Sequence, residues 1–354
     1  MTRPRLIALA LIAAGWPTLL GSAPQPAAGS IRVMRFAANP LVTVTTSPSL
    51  GANVNGPTII RVPSWVEKPL GKYYLYFANH RGDFIRLAYA DAVTGPWRVH
   101  EPGVWHVRDS ALNRPQPDSA RFGGFNTHFA SPEVFIDHPN RRIVLWAHGW
   151  YTNGEHWPTE PKAAQQWANE HGYGQFTQGA VSANGLAFRA QPAITKESYI
   201  RVFERGGALF GMARLGVLIR ADNPLAAFTI GPNAFRDTAY KTTRVRHVAL
   251  VPRGDRLYVF FTAIGDAPER MLLSTIDMTK DWSEWRATAP IDVMQPDMDY
   301  ECGRLPATPS LVGDILEPAR QIRDPHVFED EGKTYLFYAI CGEQGIAGAE
   351  LTLP

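Results

Sequence analysis

Arg323-Asp324-Pro325-His326-Val327-Phe328-Glu329-Asp330-Glu331-Gly332-Lys333-Thr334-Tyr335-Leu336-Phe337-Tyr338 reads as a polar start, a short apolar strand, a charged turn with glycine, and a second strand rich in aromatics. Asp324 opens the first of these strands, where packing alone asks for no polar residue. Weaker copies precede it. Ser131-Pro132-Glu133-Val134-Phe135 leads through Asp137 and Asn140 into Ile143–Trp146. Tyr199–Phe203 leads through Glu204 and Gly207 into Leu209–Met212, and Arg246–Val251 through Arg253-Gly254-Asp255 into Leu257–Phe261. The first copy, Asn55–Ile60, has a longer turn before Tyr73–Phe77. A third short strand follows each copy, at residues 85–89, 179–182, 217–220, 271–276 and 346–351.

Copies about 50 to 80 residues apart imply a radial architecture, because one such unit cannot bury both of its faces. The expected fold is all-β: a five-bladed β-propeller of four-stranded blades. After residues 346–351 the fifth blade is one strand short. Ile31–Phe36 alternates in strand fashion, is otherwise unplaced, and is expected to close the ring, which removes exposed edges. Residues 29–354 are then one domain. The 30 glycines and 29 prolines suit short strands and turns. The clearest helical candidate is Glu160–Asn169, inside an insertion of the second repeat. A formal net charge of +2 gives no reason to expect a nucleic-acid partner.

Arg3 and Arg5, the apolar run Leu6–Ala14, and small residues at Gly21-Ser22-Ala23 and Ala27-Ala28 read as a secretory signal over residues 1–28, with an uncleaved anchor as the alternative. The mature protein is expected to be secreted or periplasmic, with no membrane span. Export makes a Cys302–Cys341 bridge and two free buried thiols both compatible with the sequence. No Cys/His spacing is of the metal-binding kind.

Arg323-Asp324-Pro325-x-Val327-Phe328 with Gly332-x-x-Tyr335-Leu336-x-Tyr338 resembles the blade motif of the furanosidase-type five-bladed propellers, glycoside hydrolase families 43, 32, 62, 68 and 117. Tyr73–Phe77, Arg86–Asp91 and Gly95-Pro96-Trp97 resemble family 43 sequence. The resemblance implies hydrolysis of glycosidic bonds by carboxyl groups at one end of the channel. It places one carboxylate at the start of the first blade's innermost strand, an Asp in the second blade and an acid Glu in the third. This chain departs from that pattern. Asn53, Asn55 and Gly56 stand at the first position, Ser131 at the second with Glu133 two residues on, and Tyr199 at the third with Glu197 two residues before it.

The expected site therefore holds Glu197 as general acid and Asp324 and Glu133 as base or nucleophile. Asn55, His128, Trp150, Tyr199, Arg201, His247 and His326 are expected to contact the sugar. Arg201, Arg246 and Arg323 suit a carboxylate or sulfate on it. The loop His80-Arg81-Gly82-Asp83, the segment His148–Tyr151 and the insertion residues His156, Trp157 and Trp167 are further candidate contacts, as are Asn126 and Thr127. Each has a structural alternative: a turn cap for Asp324, a solvated loop for Glu197, a cross-blade arginine pair for Glu133, a hydrogen-bonded core position for His247. Asp299-Tyr300-Glu301-Cys302 bears a faint likeness to the Glu-Cys element of family 32, but falls at the end of the fourth repeat, not the third. No cofactor is expected, though a structural calcium ion on the channel axis fits such propellers. The functional expectation is a carbohydrate hydrolase. A non-catalytic glycan-binding propeller and a lyase acting on uronic acid, through His and Tyr, are the alternatives.

Overall fold

Tyr73-Tyr74-Leu75-Tyr76-Phe77 has no polar position because both faces of its strand are covered. Alternation along the strand sends Tyr74 and Tyr76 against the next blade, where Phe129 and Leu145 lie. Tyr73, Leu75 and Phe77 turn the other way, onto Phe337 and Ile346. The same division recurs around the molecule. Val144 and Trp146 meet Leu209 and Ile219, while Leu257, Val259 and Phe261 meet Phe203 and Met212. Tyr258 and Phe260 meet Leu336 and Tyr338. Five apolar layers, one between each pair of neighbouring sheets, make up the core, so each blade is stable only as a member of the ring.

The computed structural model describes residues 31–112, 128–151, 174–240 and 244–354, together with Gln166 and Glu170. The expected signal, the helix Glu160–Asn169 apart from Gln166, and Asn126, Thr127, His156, Trp157 and Trp167 lie outside the described residues. Five antiparallel sheets form the five blades of the expected propeller. Their innermost strands are Asn55–Arg61, Phe129–Asp137, Arg201–Arg205, Val245–Arg253 and Arg323–Asp330. Second and third strands follow in chain order, and the first four blades end on an outer strand of their own.

Blade 5 is completed from the far end of the chain, as Ile31–Phe36 led one to expect. Arg32–Arg35 pairs with Gly345–Thr352, Arg32 opposite Thr352 and Arg35 opposite Ala349. Val42–Thr43 pairs with the same strand at Ile346 and Gly345. The seam is fastened by side chains as well. Arg35 makes a bidentate pair with the fully buried Glu301, at 2.8 and 3.0 Å, and the Tyr338 hydroxyl donates to the same carboxylate at 2.8 Å. The adjacent Cys302 is disulfide-bonded to Cys341. Glu301 is thus a seam residue, remote from the channel chemistry.

Candidate functional site

Four of the five innermost strands carry a β-bulge at the same height, between Asn55 and Thr58, Ala130 and Glu133, Val245 and Val248, and Arg323 and His326. In the third blade the matching residues, Tyr199-Ile200, come just before the strand. Gly56, Ser131, Tyr199 and Asp324 occupy left-handed backbone, with φ of 60°, 47°, 55° and 52°. Three of them precede proline (Pro57, Pro132, Pro325), a residue sheets tolerate where a ladder bond is already lost. For Ser131, Tyr199 and Asp324 this conformation costs on the order of 1 kcal/mol or more each. Its effect is to turn the next carbonyl toward the axis.

Arg201 receives those carbonyls. Its guanidinium donates to Pro132 O at 2.9 Å, Pro57 O at 3.0 Å, Pro325 O at 3.3 Å and Val248 O at 3.3 Å, one from each of the other four blades. It also pairs with Glu133 at 2.8 Å, whose second oxygen accepts from the Val202 amide at 3.0 Å. Burial raises the Glu133 pKa, against the pull of Arg201. The axial oxygens a calcium ion would need are therefore already engaged by a guanidinium, and this donor set does not fit calcium.

Arg201 divides the channel. On one side lies a cavity of about 610 Å³ with a mixed lining, in which Ile59, Val134 and Phe328 alternate with Arg61, Lys72, Glu133, His326 and Glu329. On the other lies a cavity of about 580 Å³ lined by His80, His128, Trp150, Glu197, Tyr199 and His247, with Arg81, Arg214, Arg246 and Asp314.

The second cavity holds the concentrated chemistry. The Tyr199 hydroxyl bonds to His80 Nε2 at 2.9 Å, and His80 Nδ1 bonds to Glu343 at 2.7 Å. Burial pulls the His80 pKa down, but Glu343 and Tyr199 outweigh it and hold it at about 10, so His80 is an imidazolium. Burial would raise Glu343, yet His80 and Arg323 keep it ionised well below the usual range. The Tyr199 ring stacks on His247, centroids 4.0 Å apart at 24°. His247 Nδ1 is bonded to Asp324, whose other oxygen accepts from the Gly56 amide at 3.2 Å. Burial, then Arg246 and His80, depress the His247 pKa well below normal and keep the ring neutral.

His128 Nδ1 donates to His80 O at 2.8 Å. Burial and the His80 charge hold its pKa at about 3, so its Nε2 is an acceptor for His148 Nε2 at 2.7 Å. Glu197 is raised by desolvation, opposed by Arg214.

Of the residues expected at the site, His128, Trp150, Glu197, Tyr199 and His247 line this cavity. Asp324 lies directly behind His247. Glu133, Arg201 and His326 lie deeper. The bulge between Ala130 and Glu133 breaks simple alternation there, and Glu133 lies beside Arg201, on the lining of the other cavity. Asn55 is fully buried and hydrogen-bonded to Glu343 at 3.2 Å, behind His80. The bulge residue equivalent to Ser131 is Gly56, and a one-residue offset turns a side chain to the other face. Arg246 and Arg323, expected to hold an anionic sugar, are occupied by protein carboxylates. Arg246 meets Glu269 at 2.7 Å, and Arg323 meets Glu343 at 2.9 Å and Glu269 at 3.2 Å. Glu269, Glu343, Asp314 and Arg214 escaped the sequence reading. Each follows the second strand of its blade or lies in a loop, outside the innermost-strand repeat that drew attention; only a search for charged residues closing the aromatic strands would have found the glutamates.

No family model matches the chain. Uncharacterized protein R118 of Acanthamoeba polyphaga mimivirus is 31% identical over 346 residues, 91% of each chain. Among solved structures, a mutant of the family 43 glycoside hydrolase BlXynB from Bacillus licheniformis superposes with a TM-score of 0.53 at 12% identity over 92% of this chain, which spans 54% of that longer protein. An alpha-L-arabinofuranosidase from Lactobacillus brevis gives a TM-score of 0.53 at 12% identity, over 89% of this chain and 92% of its own. An endo-1,4-beta-xylanase from Bacteroides thetaiotaomicron gives 0.51 at 12%, over 84% and 89%. At such identity the likeness is one of fold: the five-bladed propeller of family 43, as the blade motif implied.

Proposed function

We propose, for a chain that belongs to the same family as the mimiviral protein R118, that the cavity facing His80 and Tyr199 binds a glycan and hydrolyses its glycosidic bond. One observation carries the reading. Glu197, a carboxyl group that burial keeps protonated to higher pH, shares this cavity with His247, a neutral imidazole oriented by Asp324. Glu197 donates its proton to the leaving oxygen. His247, through the nitrogen not engaged by Asp324, takes a proton from the attacking water, and Asp324 stabilises the imidazolium that forms. An Asp–His base thus replaces the carboxylate that Gly56 cannot supply. A base that delivers water gives inversion at the anomeric carbon. The names of the fold neighbours, a xylanase and an arabinofuranosidase, point to the same reaction class. The protein acts after export, with residues 1–28 as its signal.

Glu197→Gln is expected to lower kcat by at least about a hundredfold with thermal stability retained. The check is product analysis on a panel of arabinans, xylans, galactans, fructans and uronic-acid polymers. Unchanged turnover removes Glu197 from the mechanism; binding without cleavage leaves a glycan-binding propeller. A second reading rests on the Tyr199–His80–Glu343 chain, which suits removal of a C5 proton from a uronic acid. An unsaturated product, with a short-wavelength ultraviolet absorbance that hydrolysis products lack, would select that elimination over hydrolysis.

A further inference from the structure

We infer that the sugar held in this cavity carries a carboxylate, and that the Arg214 guanidinium receives it. The inference rests on the glycan-binding reading above and names its substrate class. Every other cation on the cavity wall already faces a protein carboxylate: Arg81 meets Asp314 at 2.7 Å, His80 meets Glu343 at 2.7 Å, and Arg246 meets Glu269 at 2.7 Å. The half-buried Arg214 lines the same cavity, and its guanidinium makes no hydrogen bond or ion pair among the described residues.

Its position is built. The Arg214 amide donates to Ser198 O at 2.9 Å, which sets it beside the Glu197-Ser198-Tyr199 segment. The next residue, Leu215, takes a φ of 63°, a conformation a bulky side chain adopts only under constraint. Asn233 holds the Leu215 carbonyl at 2.7 Å, and Gly216 has no room for a side chain, since a Cβ there would meet Phe235 at 2.6 Å. The clamped turn that follows Arg214 fixes its backbone at the cavity wall, with the guanidinium on the lining and paired to no protein carboxylate among the described residues. The fork of an arginine fits the two oxygens of a carboxylate. Arg214 is near enough to oppose the rise of the Glu197 pKa, yet the two form no ion pair or hydrogen bond, so the fork keeps room for a ligand. The ligand that satisfies this site is a uronic acid residue.

Calorimetric titration of the purified protein with oligomers of galacturonate, glucuronate and mannuronate, each beside its carboxyl-reduced counterpart and a sulfated galactan oligomer, tests this. The wild type is expected to prefer at least one uronate over its reduced form by roughly ten- to a hundredfold, the worth of one charge-assisted hydrogen-bonded contact. Arg214→Gln should bring that ratio close to one while melting like the wild type, and Arg214→Lys should keep part of it. A preference absent in the wild type, or surviving Arg214→Gln, overturns the inference, as does tighter binding of the sulfated oligomer. Neutral oligomers bound and cleaved as well as uronates would sink this inference and leave the hydrolase standing; no binding of any sugar would sink both.

Discussion

Arg201 donates to backbone oxygens of four blades while rooted in the remaining one, and it neutralises Glu133. Replacing it with methionine would strand a buried carboxylate and four inward carbonyls. Arg201→Met should therefore lose roughly 3–5 kcal/mol in urea unfolding, and Arg201→Lys should not restore it, because an ammonium lacks the fork. A loss under about 1 kcal/mol would show that the hub is ornamental. The sequence showed that Glu133 faces the channel and offered a cross-blade arginine as its structural alternative. It could not show depth, because alternation reports the face of a strand and not the distance down it. Glu197, Tyr199 and His247 were legible as residues lining a channel cavity for the opposite reason: polar side chains near one height of an otherwise apolar repeat are not needed for packing. Arg214 was illegible because its lack of a partner is a property of the folded surroundings alone.

At the scale of elements, the run Ile31–Phe36 announced itself by alternation, and the bulges before Pro57, Pro132 and Pro325 went unread in the sequence. Alternation does not reveal how firmly the ring is shut. The Cys302–Cys341 bridge spans 39 residues of sequence and begins next to Glu301 at the seam. A loop of that length stabilises a fold by roughly 2–4 kcal/mol when closed. Cys302→Ser with Cys341→Ser should lower the thermal midpoint and speed proteolysis near residues 31–36. Equal midpoints with and without reductant would deny the bridge a role in closure. The pairing was left open by the sequence, since two cysteines in an exported chain fit a bridge and free thiols alike.

For the molecule as a whole, the histidines set the pH range. His128, held at about 3, and His148, His247 and His326, each held well below normal by burial, are neutral when folded. Unfolded, each binds a proton near pH 6.5, so their contribution is present above that pH and is lost as pH falls below it. All four act in the same direction as pH falls from 7 toward 5. His80 works the other way: raised to about 10, it stabilises below pH 6.5 and loses that contribution as pH climbs toward 10. The melting temperature should peak near neutrality and fall by pH 5, before ordinary carboxylates titrate. A flat profile between pH 7 and 5 in calorimetry would contradict this.

Arg32 lies directly opposite Thr352. The two ends of the ring are thus neighbours, and the propeller is circular in every respect but one missing covalent link. Blade order along the chain is then a matter of where the gene happens to be cut. Tying the seam strands together and reopening the chain at the exposed Gly206-Gly207 turn, where a side chain would touch nothing, would leave the wheel, its hub and its cavities as they are.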